Sequence, residues 1–61
     1  MNKKLLAMMA KRNELKSQAQ ALLDTAGKEN RPLSDEEREK LSDLKAKIAN
    51  WDETISEMAE M

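Results

Sequence analysis

The residues with the most chemical reach in this chain are its carboxylates. Asp35, Glu36 and Glu37 are consecutive, and Glu53 and Glu57 stand four apart. On a helix that second spacing sets two carboxylates on one face, where their oxygens could hold a hard cation. The counterpart near the amino end is a basic group, Lys3, Lys4, Lys11, Arg12 and Lys16. Such side chains could meet phosphates through contacts that ignore base sequence and weaken steeply with salt. Both readings lack the company their chemistry needs. There is no His or Cys to complete a ligand set or act as base or nucleophile, and the one glycine, Gly27, cannot build a phosphate-cradling loop. Trp51 is the one aromatic residue and lies far along the chain from the basic group, so no stacking platform interleaves with it. The sequence therefore assigns no catalytic, cofactor-binding or metal-binding residue. The protein reads as a non-enzyme without a cofactor, and nucleic acid is not an expected partner.

The acidic triplet has a plainer role as the start of a helix. Ser34 followed three residues later by Glu37 is a capping box, in which each side chain reaches the other's backbone N–H. Negative charge in a first turn meets exposed amides and the positive end of the helix dipole, a gain of ~0.3 to 1 kcal/mol for each carboxylate. Upstream, Gly27 can take the left-handed conformation that closes a helix, while Pro32 withholds a donor and pushes Arg31 toward an extended conformation. These signals predict a single helical domain over 1–61, with a helix over about 3–25, a linker over 27–34 and a second helix over about 35–59.

Both helices carry an apolar line. Leu41, Leu44, Ile48, Trp51, Ile55 and Met58 follow one another at intervals of 3 and 4, which puts all six on one face of the second helix. That repeat averages about 3.5 residues per turn and implies a left-handed supercoil with a partner helix. The first helix holds a weaker version through Leu5, Met8, Arg12, Leu15, Ala19, Leu22 and Ala26, with Leu6, Met9 and Leu23 widening the stripe to one side. Leu15, Leu22, Leu41, Leu44, Ile48, Trp51, Ile55 and Met58 are the candidate interface. Arg12 interrupts the line and is expected either to snorkel to the rim or to pair with an acid of another subunit. Trp51 reads as a filler of the seam or as an anchor between chains.

Size and charge limit what these helices can achieve. A chain of 61 residues buries only ~60% of its unfolded surface, and 38% of this one is charged. A two-helix hairpin of this size is marginal by itself, so self-association or attachment to a larger body is expected to complete it. Residues 1–26 hold five basic and two acidic side chains, net +3, whereas residues 34–61 hold four basic and nine acidic, net −5. Antiparallel pairing sets these opposite fields side by side and thereby selects orientation. The apolar run Leu5 to Ala10 is six residues long, against the roughly 20 that a membrane span requires, so no membrane association is expected. It is also read as helix rather than as a secretory leader. The expected fold is all-α, a two-helix hairpin or coiled-coil-like segment stabilised by self-association.

The run KKLLAMMAKRNELKSQAQALLDTAGKENRPLSDEEREKLSDLKAKIANWDETI resembles the N-terminal scaffolding region, or delta domain, of HK97-fold bacteriophage major capsid proteins. The likeness rests on Lys11, Arg12 and Leu15, on Ala19, Leu22, Leu23 and Ala26, and, after the polar linker, on Leu33, Ser34, Glu36, Glu37, Leu44 and Ile48. Trp51 departs from it, standing where an aliphatic residue is more usual, and the β-rich capsid body has no counterpart in these residues. The resemblance implies a built-in scaffold on the inside of an immature shell assembled in the host cytoplasm. Its implied partners are copies of itself and neighbouring capsid subunits, with a phage maturation protease acting on it as substrate. A second function class also fits the residues: a small helical-hairpin adaptor that binds a partner helix.

Overall fold

The computed structural model describes residues 2–60. Two helices, α1 over Lys3–Glu29 and α2 over Asp35–Glu60, run antiparallel and are joined by a turn. The fold is an all-α hairpin. Their 27 and 26 residues correspond to about 40 Å each, so the legs match in length. The molecule measures 44 × 17 × 12 Å with a radius of gyration of 14.1 Å, against the ~10 Å of a compact domain of this length.

The start and end of α1 and the start of α2 each have a chemical cause. Asn2 opens α1 from an extended backbone, its side-chain oxygen accepting the Lys4 backbone N–H at 2.9 Å. The other end corrects the sequence reading, because α1 passes straight through Gly27 and stops at Glu29. The left-handed residue is Asn30, with φ 51° and ψ 49°. The Asn30 N–H donates to the Gly27 carbonyl at 3.2 Å and the Arg31 N–H to the Ala26 carbonyl at 3.1 Å, the two bonds of a Schellman motif. Asparagine tolerates this conformation at small cost, and the extra turn carries Ala26 into the buried seam. At the start of α2 the capping box is fully formed. The Glu37 N–H donates to Ser34 Oγ at 3.2 Å, and the Ser34 N–H donates to Glu37 Oε1 at 2.9 Å.

The apolar lines of the two helices face each other. Leu15, Ala26 and Leu41 are the buried hydrophobic residues among those described, and no side chain is fully buried. Leu5, Met8, Ala19, Leu22, Leu44, Ile48, Trp51, Ile55 and Met58 are half-buried, while their neighbours on the outer faces are exposed. Arg12 reaches Asp52 across the helices, which sets the register: facing residues have numbers that sum to about 64. Leu5 then lies level with Met58, Met8 with Ile55, Leu15 with Ile48, Ala19 with Leu44 and Leu22 with Leu41.

Gly27 sits in an exposed helical position, and a Cβ added there would meet no atom within 4 Å. Gly27→Ala should therefore stabilise the protein by about 0.5 to 1 kcal/mol through the reduced entropy of its unfolded chain. Thermal or urea unfolding followed by circular dichroism measures this. A loss of stability would return the left-handed conformation to Gly27.

Candidate functional site

Helical periodicity places all eight expected interface residues on the inner line of the hairpin. Leu15 and Leu41 are buried there, and Leu22, Leu44, Ile48, Trp51, Ile55 and Met58 are half-buried. The same side chains that could bind another chain are first engaged in holding this one together. What remains accessible is the edge of the seam. Gln18, Leu22, Lys40, Asp43, Leu44 and Lys47 line an open groove along one side, with Leu22 and Leu44 as its apolar part. Leu33, Arg38, Leu41, Ser42 and Lys45 line a second.

Arg12 finds an acid within the chain, across the hairpin on α2. Its Nη1 lies 3.1 Å from Asp52 Oδ1, and its Nε donates to Asn13 Oδ1 at 3.3 Å. The Arg12 side chain is 22% exposed and that of Asp52 47%, so water screens the pair and its contribution is at most about 1 kcal/mol. Its value lies in alignment, since a slip of one helix against the other by a turn would separate the charges. Of the other basic residues near the amino end, Lys11 lies 3.8 Å from Glu14, and Lys3, Lys4 and Lys16 are exposed. Glu53 and Glu57 are exposed on α2, and no group of three or more metal-ligating side chains gathers among the described residues. No helix among them is long and apolar enough to cross a membrane.

The strongest polar constellation is one that the sequence reading did not isolate. Arg31 sits in the turn and clasps both helix ends. Its Nε lies 2.6 Å from Glu29 Oε2, its Nη1 and Nη2 lie 2.6 and 3.2 Å from the two oxygens of Glu37, and Nη1 also donates to the Pro32 carbonyl at 3.2 Å. The two-pronged contact with Glu37 matches the planar guanidinium to the planar carboxylate. These bonds hold the Arg31 guanidinium well above its usual range. Glu37 drops from its ordinary 4.5 to about 2, first through the hydrogen bonds from Arg31 and then through that from the Ser34 backbone. The available signal was an arginine placed between the last acid of one helix and the capping acid of the next.

The clasp makes stability depend on acid. Because the folded state lowers the Glu37 pKa, its contribution is complete above about 4.5 and disappears as the pH falls through about 2. The thermal midpoint should fall across that window, and Glu37→Gln should be less stable at neutral pH while losing part of the acid step. Circular dichroism melts of both proteins at intervals from neutral pH to about pH 2 measure this. Superimposable acid profiles would show that the clasp contributes nothing to stability.

No family model, curated protein or solved structure matches this chain.

Proposed function

We propose that this chain is an assembly module, a helical hairpin that holds protein chains together through helix–helix contacts, and that its setting is the scaffolding region of an HK97-fold phage capsid protein. The observation that carries the assembly role is a long, regular seam in which no described side chain is fully buried. A hairpin with so little dry interior gains most by sharing apolar surface with neighbours. The capsid setting is supported by the resemblance of Lys11, Arg12 and Leu15, of Ala19, Leu22, Leu23 and Ala26, and of Leu33, Ser34, Glu36, Glu37, Leu44 and Ile48 to that family's scaffolding segment. One observation favours an adaptor instead. The open groove beside Leu22 and Leu44, rimmed by Lys40, Asp43 and Lys47, has the apolar floor and charged edges that suit a partner helix.

Salt separates assembly from phosphate binding. Self-association through apolar contacts should persist from about 50 to 500 mM salt, because screening weakens exposed ion pairs and leaves apolar burial intact. Sedimentation equilibrium across that range, with a random DNA duplex present in parallel samples, makes the test. Salt-sensitive duplex binding without self-association would overturn the assembly role. For the capsid setting, removing residues 1–61 from a capsid subunit that carries them should leave folded subunits unable to close into shells in electron micrographs. Normal closed shells without the segment would end that reading.

A further inference from the structure

We propose that the open end of the hairpin is an oxidation site, where a peroxide converts the thioethers of Met8, Met9 and Met58 to sulfoxides and so parts the helices there while the turn end stays closed. The inference stands apart from the assembly role.

Sulfur is confined to one end of this molecule. The chain has no cysteine, and its five methionines all fall within residues 1–9 and 58–61, with none from 10 to 57. Because the helices run antiparallel, residues 2–9 and 58–60 come together at the end remote from the turn. Met8 and Met58 stand on the inner line and Met9 beside it, all three half-buried. Each thioether thus takes part in the packing and is still within reach of a small oxidant.

What holds that end together gives the sulfur its weight. The Arg12–Asp52 pair is the polar tie nearest the chain ends, and among the described residues no ion pair joins the helices beyond it. The first turn of α1 has no acid and the last turn of α2 has no base, so the helix dipoles are not offset within either helix. Four residues of the inner line remain in these layers: Leu5 and Met8 from α1, Ile55 and Met58 from α2. Half of them are thioethers. The turn end, by contrast, has buried Ala26 and Leu41, the Arg31 clasp and no sulfur.

The step balances with the peroxide alone. The sulfur lone pair attacks one peroxide oxygen, the O–O bond breaks as the S–O bond forms, and the other oxygen leaves as water, so that sulfur is oxidised and the peroxide reduced. An apolar, adaptable side chain becomes a polar one. A sulfoxide in the seam needs a hydrogen-bond donor, and the side chains level with Met8 and Met58, Ile55 and Leu5, offer none. It therefore turns out toward water and draws its layer apart.

Hydrogen peroxide on the full chain makes the test, with peptide mass spectrometry locating the added oxygen and NMR hydrogen exchange reporting each amide. Exchange at residues 6–12 and 54–60 should accelerate by a factor of roughly 5 to 30, while residues 20–29 and 38–44 keep their rates. Treatment with methionine sulfoxide reductases and a dithiol should restore the original pattern. A chain carrying Met8→Leu, Met9→Leu and Met58→Leu together keeps the seam volume and should hold its open end closed under the same treatment, even with Met1 and Met61 oxidised. Full oxidation at the three sites with unchanged exchange would overturn the proposal. So would equal loosening of both ends, or loosening of the leucine variant to the same degree as the wild type.

Discussion

Everything in this molecule depends on reversing the chain between Glu29 and Asp35 in one register. The helices bring one apolar line each, and those lines meet only if the turn delivers α2 at the right height beside α1. Three devices within a dozen residues cooperate. The paired bonds onto the Ala26 and Gly27 carbonyls end α1, the capping box starts α2, and Arg31 ties Glu29 to Glu37 across the gap. Together they satisfy backbone groups that two helix ends would otherwise leave open. The Arg12–Asp52 pair, far from the turn, then checks the alignment it set.

The two ends of the hairpin are unequal. At the turn, Asp35, Glu36 and Glu37 stand at the positive end of the α2 dipole and Lys28 at the negative end of α1, so side-chain charge and helix dipole agree. At the open end they oppose each other. Lys3 and Lys4 occupy the first turn of α1, which has no acid, and Glu57 and Glu60 lie at the end of α2, whose last turn has no base. Only the neighbouring helix, with charge of the opposite sign, offsets the conflict. The methionines Met8, Met9 and Met58 also lie toward this end, where an adaptable side chain suits a looser contact. Stability is accordingly graded along the hairpin, highest by the clasp and lowest where the helices begin and end.

Much of this was legible in the residues. The 3 and 4 spacing from Leu41 to Met58 identified the inner line of α2, and its weaker copy from Leu5 to Ala26 identified that of α1, because a helix facing one neighbour leaves that period and few others. The start of α2 was legible because a capping box is local, needing only Ser34 and Glu37. The end of α1 was not. Gly27 suits a left-handed turn, but conformational freedom permits a stop without imposing one, and the packing of Ala26 with the cap at Asn30 carries the helix further. Asn2 was missed although it stands directly before the first helical turn. The Arg31 clasp and the Arg12–Asp52 pair join residues that only the folded turn brings together, six and forty positions apart.

Because the helices are antiparallel and nearly equal in length, residues 2 and 60 emerge at the same end, about 44 Å from the turn at most. That arrangement fixes how the hairpin would carry mechanical load. Tension drawn through both chain ends would peel the layers one after another, beginning with Leu5 and Met58 and reaching the clasp last, so the resisting force at any moment is that of a single layer. A load sliding one helix along the other would have to break every layer and the Arg12–Asp52 tie together. The hairpin is thus a joint that yields to peeling and resists shear.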